Sequence, residues 1–172
     1  MHRWEDFSME ILELLKLVTQ KEGASMPKVV HPEYLDFLCR SKDRQIIKVV
    51  HGAQHCGKTE LFALYHDWLK QNGVATEQII SIKFSTSADG EQTHYRTLHD
   101  RIKAQLLAGK MNYVFLDEIQ HVPQFEKVVD SLFLQKNVDL YIAGPNPHFT
   151  PDKLAMLFGG RYIELRMPPP SL

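Results

Sequence analysis

Gly52-Ala53-Gln54-His55-Cys56-Gly57-Lys58-Thr59 lies between an apolar run, Ile46-Ile47-Lys48-Val49-Val50, and a helical pattern that continues to Gln71. Its spacing, G-x-x-x-x-G-K-[ST], is that of a phosphate-binding loop. Gly52 and Gly57 admit backbone conformations closed to residues with a Cβ, so that successive N–H groups through Ala53, Gln54, His55 and Cys56 can turn inward toward phosphate oxygens. Lys58 supplies a compact positive charge for β- and γ-phosphates. Thr59 offers a hydroxyl to Mg²⁺ at the start of a helix whose dipole favours anions. A lysine at a helix N-terminus opposes that dipole unless an anion is present.

Outward from the loop, short apolar runs alternate with helical stretches. The runs after the first are Ile79-Ile80-Ser81-Ile82, Tyr113-Val114-Phe115-Leu116, Leu140-Tyr141-Ile142-Ala143 and Tyr162-Ile163-Glu164-Leu165. Continuous apolarity is what a parallel strand buried on both faces requires. Helical patterns run from Lys58 to Gln71, closed by Asn72-Gly73, from Tyr95 to Leu107, from Phe125 to Phe133, and from Asp152 to Phe158 after Thr150-Pro151. The expectation is an α/β fold with a parallel sheet and crossover helices on both faces. Upstream, Ile11, Leu14, Leu15 and Val18 predict an amphipathic helix over 9–20, and Pro32 opens a shorter one through Arg40. The polar segment Ser85 to Gln92 is expected to be a mobile loop near the carboxyl ends of the strands.

The third apolar run ends in Leu116-Asp117-Glu118-Ile119-Gln120. Two adjacent carboxylates at the end of a buried strand need a reason, because burial raises the cost of each charge. A divalent cation provides one. Asp117 fits a Walker-B metal partner, and Glu118 fits the base that orients a hydrolytic water. The fourth run leads into Gly144-Pro145-Asn146, where Asn146 reads either as a contact to the attacking water or γ-phosphate, or as a turn-former between two prolines. Arg161, before the fifth run, reads either as a stabiliser of transition-state charge or as a surface arginine. His51, His55 and Cys56 are close in sequence, but no second ligand pair at finger-like spacing follows, which argues against zinc.

Composition bounds the alternatives. The 172 residues, 44% hydrophobic and 24% charged, are ordinary for one soluble globular domain. Twenty Lys+Arg against 21 Asp+Glu leave a net charge of −1, so no global field attracts nucleic acid or an anionic membrane. Two cysteines, an acidic start and no long apolar stretch argue against disulfide scaffolds, signal peptides and membrane spans, and lead us to expect a cytoplasmic protein.

The order Gly52…Gly57-Lys58-Thr59, then Tyr113 through Gln120, then Tyr141 through Asn146, then Gly160-Arg161-Tyr162 resembles the bacterial and archaeal AAA+-type ATPases that carry a DUF4143-like C-terminal region. The resemblance spans residues 30 to 172 and is most specific in Leu116-Asp117-Glu118-Ile119-Gln120. It implies a three-layer P-loop NTPase core of AAA+/ASCE type with a five-stranded parallel sheet, ATP and Mg²⁺ as ligands, Asn146 as sensor and Arg161 at the Gly-Arg-Tyr position. A nuclease-like region downstream in relatives implies nucleic acid as a partner through a domain beyond this chain. Relatives usually carry basic residues where this chain has Gln54-His55, and Gly-Ser-Asn where it has Gly144-Pro145-Asn146; Pro145 removes a backbone N–H beside the sensor.

The expected organisation is an N-terminal helical extension over 1–30 and an ATPase core over 31–172, without the helical lid and C-terminal effector domain of relatives. The expected function is slow Mg²⁺-dependent ATP hydrolysis that drives or gates an effector, in a homo-oligomer whose neighbouring subunit delivers Arg161. A nucleotide-dependent switch that binds ATP or ADP with little turnover is the alternative. A third reading places nucleic-acid phosphates on Arg40, Lys42, Arg44 and Lys48.

Overall fold

The computed structural model describes residues 32–85 and 94–169; the expected helix over 9–20 and most of the polar loop after Ser85 lie outside them. Within the described chain, α1 (Pro32–Ser41) precedes β1 (Ile47–Gly52), and α2 (Lys58–Gln71) leads to β2 (Ile79–Lys83). There follow α3 (Tyr95–Gln105), β3 (Asn112–Asp117), α4 (Phe125–Phe133), β4 (Val138–Pro145), α5 (Pro151–Phe158) and β5 (Tyr162–Met167). All five strands are parallel and lie in the order β2-β3-β4-β1-β5.

Each element follows from its residues. In α2 the buried set Leu61, Phe62, Tyr65, Trp68 and Leu69 recurs at one-turn spacing, so one stripe faces the sheet. The helix stops where Gly73 takes φ 91°, a left-handed turn that costs glycine nothing, and Val74 N–H donates back to the Leu69 carbonyl. Successive residues of β1 point to opposite faces. Val50 packs with α1 and α2 around Phe115 and Tyr141, while Ile47 and Val49 join Leu98, Val128, Leu154 and Phe158 from α3, α4 and α5. Helices therefore cover both faces of the sheet, giving the expected three layers.

Burial differs from the sequence expectation at the margins. Residues of β1 and β3 are buried throughout and β4 almost so, but β2 and β5 are buried only at Ile80 and Met167, their other positions being partly buried or exposed. Strand order explains this, since β2 and β5 are the sheet's edges. β4 also begins earlier than its apolar run, at Val138, because Asp139 enters the sheet beside Tyr113.

Asp139 has a buried partner. Lys48 Nζ donates to Asp139 Oδ1 at 2.5 Å, with both side chains fully buried, and lies 5.2 Å from the Tyr141 ring centre. Asp139 Oδ2 accepts from Tyr141 Oη and from the Asp43 backbone N–H, each at 2.8 Å. Burial drives Lys48 down and Asp139 up from their ordinary pKa values, while their mutual attraction opposes both shifts. The placement removes Lys48 from the nucleic-acid reading, because it is fully buried and cannot reach a phosphate, while Arg40 pairs with Asp36 at 2.9 Å and Lys42 with Asp43 at 2.7 Å at the surface.

A second buried group makes stability depend on pH. His66 of α2 lies edge-on to Phe115, 4.3 Å between ring centres, and its Nε2 has no hydrogen-bond partner. Burial first, with Lys70 adding, lowers its pKa from 6.5 to about 4. Above pH 6.5 the ring is neutral in both folded and unfolded chains and exerts no pH-linked effect. As pH falls toward 4 the unfolded chain takes a proton that the folded one refuses, which costs roughly 3 kcal/mol. His66→Leu is expected to lose less stability than wild type over that window in urea titrations, and parallel losses would remove His66 as the cause.

Candidate functional site

The loop between β1 and α2 crosses the carboxyl end of β4, because β1 and β3 are separated by that strand. Gly52 ends β1 in close quarters: a Cβ there would stand 2.6 Å from both Cys56 Sγ and the Met167 carbonyl. Gly57 takes φ 104° immediately before α2, while His55 holds φ 64° without a glycine's freedom. Lys58, 4% exposed, turns back into the loop, where Nζ donates to the Gly52 carbonyl at 2.9 Å and the Ala53 carbonyl at 3.1 Å.

At the first turn of α2, Thr59 Oγ1 donates to Asp117 Oδ2 at 2.7 Å, joining the helix to the end of β3. The other oxygen, Asp117 Oδ1, is buried and has no hydrogen-bond partner. Burial pushes this carboxyl above the ordinary aspartate range, the Thr59 hydrogen bond pulls down, and neighbouring Glu118 pushes up again. An orphaned carboxylate oxygen beside a threonine hydroxyl suits a hard divalent cation, so the residues present fit Mg²⁺. Glu118 breaks the strand direction with φ 57° and ψ 42°, and the chain turns into a short 3-10 helix over Ile119–His121. Gln120 Nε2 donates to Glu118 Oε2 at 2.5 Å and thereby holds the carboxylate.

These elements border an open cavity of about 340 Å³, lined by the loop from Gln54 to Gly57, the first turn of α2 through Glu60, Lys83 to Ser85, Glu118 and His121. The structure thus brings together the loop, Lys58, Thr59, Asp117 and Glu118. Lys83 and His121 were not singled out from sequence; a cation at the carboxyl end of the β2 run was the available signal for Lys83.

Asn146 follows β4, whose Pro145 pairs with Gly52, so it stands beside the root of the loop. Its Oδ1 lies 2.7 Å from His51 Nδ1, and it does not line the cavity. Arg161 is held elsewhere. Its guanidinium binds Asp130 at 2.9 Å and the Phe158 carbonyl at 3.1 Å, over the Phe133 ring, and its carbonyl accepts from Ile47 N–H at the start of β1. The site lies at the other end of that strand, about 16 Å away. Within one chain Arg161 does not meet the loop.

An AAA-domain family model matches residues 44–172. An uncharacterized protein of Haemophilus influenzae is 34% identical over 154 residues, which is 86% of this chain but 37% of that protein, so the chain spans little over a third of its relative. Among solved structures, Hsp104 of S. cerevisiae in complex with casein matches with TM-score 0.58 at 14% identity, over 92% of this chain and 30% of that one. A DNA polymerase III gamma subunit-related protein of Thermotoga maritima matches with TM-score 0.55 at 13% identity, over 77% of this chain and 45% of that one. C. elegans PCH-2 matches with TM-score 0.50 at 17% identity, over 86% and 43%. At these identities the likeness is one of fold. No described helix is long and apolar enough to cross a membrane.

Proposed function

The chain belongs to the AAA-domain family, and from that membership we propose that it binds ATP with Mg²⁺ between β1 and β3 and hydrolyses it to drive or gate an effector. The observation that carries this reading is the orphaned Asp117 Oδ1, buried beside the Thr59 hydroxyl under a phosphate-loop motif. In this reading the loop N–H groups and Lys58 bind β- and γ-phosphates, Lys58 exchanging its two carbonyl partners for phosphate oxygens. Thr59 and Asp117 hold the metal, which when bound neutralises charge on the phosphates. Glu118 accepts the proton of the attacking water, and Asn146 orients that water or the γ-phosphate. Arg161, bound at the amino ends of the strands, serves a neighbouring subunit's site in a homo-oligomer. The effector, and any nucleic acid it contacts, belong to sequence that the larger relative contains and this chain does not match.

The switch reading draws on a specific contact. Gln120 Nε2 donates to Glu118 Oε2 and restrains the carboxylate that serves as base, and in the switch reading this restraint keeps turnover slow relative to binding. Both readings share the first test. Mg-ATP at about 100 times Kd is expected to stabilise the fold by roughly 2.7 kcal/mol, raising Tm by about 5–10 °C. Lys58→Ala should abolish most of that shift, and equal shifts in both proteins would remove the phosphate loop from consideration.

A further inference from the structure

His51 is the residue before Gly52, 5% exposed, and both of its ring nitrogens are engaged. Nδ1 lies 2.7 Å from Asn146 Oδ1, and Nε2 lies 2.8 Å from Glu164 Oε2. Strand order creates this bridge. β1 runs between β4 and β5, with Val49 abreast of Glu164 and His51 abreast of Gly144, two residues before Asn146. Alternation along the strand places His51 and Val49 on one face, so the ring spans from the exposed edge strand to the root of the loop.

The donors and acceptors restrict what this bridge can do. A carboxylate only accepts, so Glu164 requires a hydrogen on Nε2. The state of Nδ1 then decides the orientation of the Asn146 amide. With a lone pair on Nδ1, Asn146 must donate its NH₂ to the ring and turn its carbonyl outward. With a proton on Nδ1, Asn146 gives its carbonyl to the ring, as in the geometry above, and turns its NH₂ outward. The outward end is an acceptor in the first case and a donor in the second. Phosphate oxygens only accept, whereas a water hydrogen needs an acceptor.

We propose that His51, anchored by Glu164, is the positioning residue that sets which end of the Asn146 amide faces the nucleotide: NH₂ toward a phosphate oxygen when the ring is an imidazolium, carbonyl toward a water when it is neutral. This rests on the ATP-hydrolysis reading above. The charged and titratable groups around the ring are Glu164 and, abreast of His51 in β5, Arg166. On the β4 side they are His148, in the turn that Asn146 opens, and Lys153 of α5, whose Nζ donates to the Pro147 carbonyl at 2.6 Å. From the loop comes Lys58, bonded to the Gly52 carbonyl.

Two measurements test the proposal. Nitrogen-15 NMR of the nucleotide-free chain should show hydrogen on His51 Nε2 at every pH, and Glu164→Gln, at a half-exposed edge position, should release that restriction. A neutral ring with hydrogen on Nδ1 in wild type would overturn the anchor. In steady-state ATP hydrolysis, His51→Phe should lower kcat roughly 10- to 100-fold with little change in KM. Glu164→Gln, which keeps the ring, should lower kcat less and likewise leave KM nearly unchanged. Wild-type hydrolysis insensitive to both substitutions would overturn the positioning role alone, whereas absence of ATP binding in wild type would overturn the underlying reading together with it.

Discussion

Glu118→Gln is expected to bind Mg-ATP as tightly as wild type and to hydrolyse it about 10²- to 10⁴-fold more slowly, the usual range for loss of a general base. The substitution preserves shape, and its amide oxygen can still accept from Gln120 Nε2, which now reaches the Glu118 carboxylate at 2.5 Å. Asp117→Ala should fail differently. It removes both the acceptor for Thr59 Oγ1 and the orphaned oxygen, so the metal-dependent part of binding should weaken along with turnover. Phosphate release and nucleotide titration with and without Mg²⁺ separate the two outcomes. Undiminished turnover in Glu118→Gln would place the base on another residue.

Lys48→Met is expected to destabilise the fold by about 3–5 kcal/mol, because it leaves the Asp139 carboxyl buried without its cation. For a domain whose total stability is about 5–15 kcal/mol, this is a large fraction. The Asp139 side chain keeps its Tyr141 and Asp43 hydrogen bonds, which favour the charged form and so hold the uncompensated charge in place. Removing both partners, as in Lys48→Met with Asp139→Leu, should recover most of the loss, since burying an ion pair costs nearly what the pair returns. Urea midpoints of the two single variants and the double variant form the cycle. A double variant as unstable as Lys48→Met would show that the network contributes through geometry rather than charge.

What is local in the chain was legible in its sequence. The phosphate-loop spacing, the Asp117-Glu118 pair and five apolar runs sit within short windows, and the structure has a five-stranded parallel sheet with the loop after β1. Contacts that depend on which strands become neighbours were not legible there. Lys48 meets Asp139 across 91 positions and His51 meets Glu164 across 113, and neither pairing leaves a periodic trace. The reading of the runs as strands buried on both faces fails at β2 and β5 for the same reason, because being an edge is a property of strand order. Local backbone was hidden too. The left-handed turn at Glu118 places a bulky residue where glycine would be expected, and no propensity announces it.

The strand order β2-β3-β4-β1-β5 also sets when this molecule becomes competent. β1 is made early but pairs only with β4 and β5, whose partner residues lie roughly a hundred positions downstream. During synthesis the segment from Ile47 to Gly52 leaves the ribosome with both of its hydrogen-bonding edges bare, and it stays so until Val138–Met167 has been made. β2 and β3 can pair sooner, being close in the chain. Closing the centre of the sheet therefore comes late and carries the chain-closure entropy of distant contacts, which slows folding of parallel topologies. Because the phosphate loop is rooted in β1, a nascent chain without its final two strands leaves the root of that loop with neither of its pairing partners. Gly52, at the root of the loop, lies abreast of Met167 in the last strand, so the wall behind the loop is complete only once β5 has joined.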